Sequence, residues 1–270
     1  MQLCSAIITH PGKVRDINED NFYFFDCTLG DASDNHCFAY KKTKIGNVPL
    51  LFAVFDGMGG MSDGDKASAI AASVTRKVFK DYEELDEPDM FSMFGNICEL
   101  ANDQICDEIL QGSAKKMGST ASFVGLINDE YFLCNLGDSP VYILHNNQLE
   151  KISVDHNDRE MYERINGVGQ SDQKFSLTQH LGIFSEEMTL EPHFALGRVC
   201  DSDKILICSD GLTDMVDEDE IACILASSQN VESAVRNLLK SALEGGGKDN
   251  ITIICIEVSR RKLLDVFWRF

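Results

Sequence analysis

The sequence predicts an α+β protein built from antiparallel sheets with helices packed on their outer faces. Three observations lead there. Strand-like runs bounded by Gly, Asp or Asn recur along the chain. Two long helical patterns follow one another directly, and then several strands succeed with short turns and no helix between them. Strands joined in that way pair antiparallel, and helices segregate to the outside. The order argues against a doubly wound nucleotide-binding fold, in which strands alternate with helices.

The strand-like runs are Ala6–Thr9, Leu50–Asp56, Thr120–Leu126, Tyr131–Leu136, Val141–Leu144, Lys204–Ser209 and Asn250–Val258, most of them rich in β-branched and aromatic residues. Asn146-Asn147, between Val141–Leu144 and Leu149–Ile152, reads as a hairpin turn. From Ser62, the apolar residues Ala67, Ile70, Ala71, Val74 and Val78 share one helical face, with Ser62 and Asp65 as its N-terminal cap. From about Asp89, residues Phe91, Phe94, Cys98, Ala101, Ile105 and Ile109 repeat that pattern up to Gly112. Two further helices are predicted at Glu218–Ala226 and Val231–Leu243. With no internal repeat or Pro/Ser-rich linker, residues 1–258 read as one domain, and 259–270 as a basic, aromatic tail.

At 270 residues, 44% hydrophobic and 25% charged, the chain can bury a substantial core. No apolar run approaches the roughly 20 residues a membrane span needs. The N-terminus MQLCSAIITHPGKVRD lacks the features of a secretory leader, so a cytoplasmic protein is expected. The ten cysteines sit mostly in apolar runs and none has the spacing of a zinc knuckle or redox pair, so buried, reduced thiols are expected. A net charge of −20, from 44 acidic and 24 basic residues, argues against nucleic acid as a partner. The acidic surplus has two readings, solubility or carboxylates gathered around cations, and composition does not separate them.

Position is more informative. Four mostly apolar strands carry an acidic residue at an end or in the adjoining turn: Asp56 in LLFAVFDGMGG, Asp138 in YFLCNLGDS, Asp210 in KILICSDG and Asp249 in GGGKDNITIICIEV. A fifth group, Glu19 and Asp20, precedes another apolar run. Carboxylates that converge repel one another unless a cation neutralises them, and oxygen ligands without His or Cys select magnesium, manganese or calcium. Gly57 lets the backbone approach an ion closely beside Asp56. The alternative is that each Asp-Gly starts an ordinary turn. Spacing alone does not decide between these readings.

The motifs together resemble the metal-dependent Ser/Thr protein phosphatases of type 2C, in their compact bacterial form. The resemblance runs from His10 to Val258 and rests on seven segments in the family order. These are Arg15-Asp16-Ile17-Asn18-Glu19-Asp20, Val54-Phe55-Asp56-Gly57-Met58-Gly59-Gly60, Gly118-Ser119-Thr120-Ala121, Asn135-Leu136-Gly137-Asp138-Ser139, Asp155-His156, Cys208-Ser209-Asp210-Gly211-Leu212 and Gly247-Lys248-Asp249-Asn250-Ile251-Thr252. It implies a four-layer α-β-β-α sandwich and hydrolysis of phosphoserine and phosphothreonine in proteins, the substrates of a Ser/Thr kinase. The cofactors implied are two divalent cations, Mn2+ or Mg2+, holding a water that attacks phosphorus directly. By matching motif, Asp56 bridges the ions, Asp210 and Asp249 complete one, and the Gly57 carbonyl, Glu19 and Asp20 serve the other, partly through waters. Arg15 grips the substrate phosphate, and Asp138 attends a weaker third ion. The chain departs from the family pattern at Pro140, Met61 and Gln179-His180, and its flap, Asp155 to Thr178, is short.

Other features have plainer readings. Lys248 follows glycines but lacks the Ser or Thr of a phosphate-binding loop. Ser119 and Ser209 have no His-based partner in view, and His156 is expected to serve a surface or turn role. For the tail, a terminal helix packing on its own domain is preferred over docking a partner or touching an anionic membrane. The competing functions are a non-catalytic phosphoprotein-binding module and a hydrolase of small phosphate esters.

Overall fold

The computed structural model describes residues 1–31, 36–59, 63–82, 85, 89–112, 116–166 and 175–259. Gly60, Met61, Ser62, the middle of the expected flap and the tail after Ser259 lie outside the described residues. Six strands form one antiparallel sheet in the order β10 (Gln148–Lys151), β9 (Val141–His145), β12 (Lys204–Cys208), β13 (Ile251–Ser259), β1 (Gln2–His10) and β3 (Cys37–Lys44). Five form a second, in the order β11 (His193–Arg198), β8 (Glu130–Leu136), β7 (Ala121–Ile127), β4 (Leu50–Phe55) and β2 (Asn21–Phe24). A short pair, β5 (Gly57–Gly59) and β6 (Met117–Ser119), stands apart. The helices are α1 (Gly64–Tyr82), α2 (Met90–Leu110), α3 (Arg159–Asn166), α4 (Asp210–Thr213), α5 (Glu218–Ser227) and α6 (Val231–Glu244).

The period of two along each strand builds the layers. In β4, Phe52 and Val54 point into the space between the sheets, while Leu51, Ala53 and Phe55 point toward α1 and α2. In β13, Ile254, Ile256 and Val258 face the inter-sheet core, and Ile251, Ile253 and Cys255 face α4, α5 and α6. These strands are apolar almost throughout because both of their faces are buried. Each fully buried Phe, Ile or Leu contributes about 1.5–3 kcal/mol, so the three stacked cores supply the driving force that holds the layers in register. The result is the α-β-β-α sandwich that the sequence led us to expect.

Local chemistry sets the element ends. Asp89 caps α2 by accepting from the Phe91 and Ser92 amides, each at 3.1 Å. Asn230 and Ser233 form a reciprocal capping box at α6. Asn146 and Asn147 sit at φ 51° and 63°, which confirms the expected hairpin turn. Unforeseen from the sequence were β3, whose face is largely exposed, and β11, whose burial alternates. The thiols also differ from expectation, because Cys27, Cys200 and Cys223 are exposed, although all ten cysteines are free. Among the described residues no helix is long and apolar enough to cross a membrane.

Candidate metal centre

Strands from both sheets deliver their acidic residues to one end of the sandwich. Asp56 follows β4, Asp138 lies between β8 and β9, Asp210 opens α4 after β12, and Asp249 precedes β13. Burial, followed by the Asp20, Asp210, Asp138 and Asp249 carboxylates, pushes Asp56 well above the usual carboxylate range. Residues scattered over 230 positions of sequence therefore act on one another electrostatically.

Each carboxylate is held by identifiable partners. The Asp56 amide donates to Thr120 Oγ1 at 2.9 Å, and the Thr120 amide donates back to the Asp56 carbonyl at 2.9 Å. Thr120 Oγ1 is itself 2.7 Å from Ser139 Oγ, which ties β4 to the turn that carries Asp138. Asp20 is buried, and its Oδ2 accepts from Ser209 Oγ and Thr252 Oγ1, each at 2.7 Å. Burial drives Asp20 up to about 7 despite those two hydrogen bonds. Asp138 is pushed up to about 6, first by burial and then by Asp155.

Glu19 is fixed from both sides. Its amide donates to Asn250 Oδ1 at 2.8 Å, and its Oε1 accepts from the Gly64 amide at 3.2 Å. Asn250 also reaches the Pro11 and Ile17 carbonyls, at 3.0 and 2.9 Å, and so pins the loop that carries Arg15. A methyl group placed on Gly64 would lie 2.8 Å from both Glu19 Oε1 and the Gly57 carbonyl oxygen. Those two oxygens therefore converge on one spot, and only glycine leaves it open. Burial raises Glu19, opposed by the Gly64 amide and Arg15. Arg15 Nη2 donates to Asp249 Oδ2 at 2.7 Å, which places the guanidinium on the rim of the acidic cluster.

These residues fit a divalent-cation centre. The donors are carboxylate and carbonyl oxygens, the set that suits hard cations. Asp20 Oδ1 is buried with no hydrogen-bond partner, and a bare oxygen in that position costs about 1–3 kcal/mol unless something positive meets it. Asp155 Oδ1, beside Asp138, is in the same condition. The supporting residues Thr120, Asn250, Thr252 and Gly64 had no assigned role in the sequence reading. Thr120, Asn250 and Thr252 lay within recognised motifs, but only the fold shows which acidic group each one holds. His156, as expected, serves a turn: its Nδ1 accepts from the Gly137 amide at 3.1 Å.

Two cavities flank the cluster. One, of about 310 Å³, is lined by Asp138, Asp210, Lys151, Asp155 and Arg159. The other, about 350 Å³ and more apolar, is lined by Met58, Met117, His180, Ile183 and Phe184.

A layered sandwich with an oxygen-rich acidic centre at one end of both sheets is the arrangement of a protein that holds divalent cations. The sequence profile of the family described as protein phosphatase 2C matches residues 37–245, and the chain belongs to that family. It is therefore an enzyme, a protein phosphatase. The chain is 28% identical over 259 residues to the serine/threonine phosphatase stp of Listeria welshimeri, covering 92% of this chain and 93% of that one. Among solved structures it resembles the PPM Ser-Thr phosphatase MsPP of Mycobacterium smegmatis in complex with cacodylate. That match has a TM-score of 0.70 and 26% identity, and covers 94% and 98% of the two chains. The catalytic domain of the phosphatase PstP in complex with two manganese ions shares the fold, with a TM-score of 0.76, 23% identity and coverage of 96% and 100%.

Proposed function

We propose that the chain hydrolyses phosphoserine and phosphothreonine in proteins phosphorylated by a Ser/Thr kinase, using two divalent cations, Mn2+ or Mg2+. The observation that carries this reading is the buried carboxylate cluster around Asp56, with Arg15 on its rim. Asp56 would bridge the two ions, with Asp210 and Asp249 completing one. The Gly57 carbonyl would serve the second, with Glu19 and Asp20 acting partly through waters, and Asp138 would attend a weaker third. The chemistry such ions supply when bound is activation of a water for direct in-line attack on phosphorus.

The chain's own residues do the rest. Arg15 offers a planar fork that pairs two phosphoryl oxygens and orients the ester bond. Thr120 and Asn250 fix the backbones of Asp56 and Glu19, so the oxygens are in place before substrate arrives.

The test is hydrolysis of a phosphothreonine peptide by wild type and Asp249→Ala, with EDTA, magnesium or manganese. Turnover that requires an ion and vanishes in the variant supports the assignment. Folded protein that turns over with no ion, or not at all, sinks it. Preference for sugar phosphates over phosphopeptides would move the substrate class to small esters.

A further inference from the structure

His145, Cys200 and Asp203 meet at the end of the sandwich opposite the acidic cluster. His145 closes β9, whose other end follows Asp138, and Asp203 precedes β12, whose other end leads to Asp210. The five residues of β12, at about 3.3 Å each, set the two places roughly 17 Å or more apart. One imidazole nitrogen, the Cys200 sulfur and one Asp203 carboxylate oxygen all lie within 4.8 Å of one another.

The group is organised around a buried carboxylate. Asp203 Oδ1 is 2.7 Å from His145 Nδ1, and Oδ2 accepts from the Cys200 amide at 2.7 Å. Its backbone is fixed too: its carbonyl accepts from the Val258 amide at 3.0 Å. The chain bends back between the two ligands through Ser202, which sits at φ 71°. The other ring nitrogen of His145, Nε2, is 2.9 Å from Asn146 Nδ2; rotating that carboxamide would turn its oxygen to the Nε2–H that an imidazole ligating through Nδ1 carries. Cys200 and His145 are exposed, so an ion has access from solvent.

The geometry points to a second metal site here, for a borderline-soft divalent ion of the zinc class. Nitrogen, thiolate and carboxylate form a donor set that suits Zn2+ and Co2+ and suits Mg2+ poorly. On binding, the Cys200 thiol gives its proton to solvent, and thiolate plus carboxylate then balance the ion's two positive charges. Water fills the fourth position. The ion joins the β11–β12 turn to the β9–β10 hairpin, closing the pole of the sandwich far from the chemistry. A plain His145–Asp203 ion pair with a bystander thiol is the alternative.

Cobalt separates them, because thiolate ligation gives a sulfur-to-cobalt charge-transfer band that oxygen ligands cannot. The full chain is titrated with Co2+ in excess Mg2+, alongside Cys200→Ser and His145→Ala. The expected result is one thiolate-ligated Co2+ in the wild type, displaced by Zn2+. Cys200→Ser should lose the band, and His145→Ala should weaken binding at least tenfold. Magnesium-dependent phosphatase turnover should be unchanged in both variants. No band in the wild type, or a band that survives Cys200→Ser at full strength, overturns the site. Equal affinity in His145→Ala also overturns it, because it leaves only a lone thiol.

Discussion

Ser209 donates its hydroxyl proton to Asp20 Oδ2 at 2.7 Å, joining residues 189 positions apart in the chain. The same Ser209 Oγ accepts from the Thr252 amide at 2.9 Å, and Thr252 Oγ1 reaches the same Asp20 oxygen. A buried acid, the end of β12 and the start of β13 are thus one hydrogen-bonded unit.

Ser209→Ala should break two links of that unit and leave the Thr252 amide and Asp20 each short of a partner. The expected loss is about 1–3 kcal/mol of stability, read by urea denaturation, with weaker activation by metal in turnover assays. Unchanged values for both would mean that Asp20 is held by Thr252 alone.

Arg15→Ala should lower kcat/KM for a phosphopeptide by about 10- to 100-fold while moving the metal concentration for half-activation much less. Arg15→Lys should recover only part of the loss, because an ammonium has no planar fork. A variant whose main defect is metal activation would reassign Arg15 to holding Asp249.

Asp138 carries a pH signature. Its folded-state pKa, about 6, lies above the ordinary 3.8 of an aspartate, so the folded protein holds this proton more tightly than the unfolded chain. That contribution to stability is complete below about pH 4 and is lost as pH rises through 6. In chelator, Asp138→Asn should therefore gain on the wild type between pH 4 and 7, by up to about 2 kcal/mol. Thermal melts at several pH values give the difference directly. A constant gap across the range would show that Asp138 does not titrate there.

Gly57→Ala should damage the centre by sterics alone. The added methyl would lie 2.2 Å from the Gly64 carbonyl oxygen and 2.3 Å from the Glu19 carbonyl oxygen, both main-chain atoms that cannot rotate away. A stability loss of about 1–3 kcal/mol and a larger fall in activity are expected, measured by denaturation and phosphopeptide turnover.

Much of the architecture was legible because its strands are buried on both faces. Leu50–Phe55, Lys204–Cys208 and Ile251–Ser259 stand out as apolar runs, and the observed ends differ from the expected ones by a residue or so. The edge strand β3 was missed because an exposed strand such as CFAYKKTK carries no apolar pattern. The acidic residues were individually visible at strand ends, yet their convergence was not, since it depends on which strands become neighbours across two sheets. Gly64 shows the same limit. Its neighbours Gly57 and Glu19 are close only in space, and a glycine at the start of a helix advertises nothing by itself.

The first and last described strands, β1 and β13, pair residue for residue from Gln2 with Ser259 to His10 with Ile251, in the middle of the larger sheet. β13 brings Thr252 to Asp20, and Asp249 stands just ahead of it. A chain without β13 therefore lacks the strand that holds Asp20 through Thr252. On the proposed function, activity depends on the pairing of two strands about 240 residues apart in the chain, and a product cut short before Asn250 should be inactive.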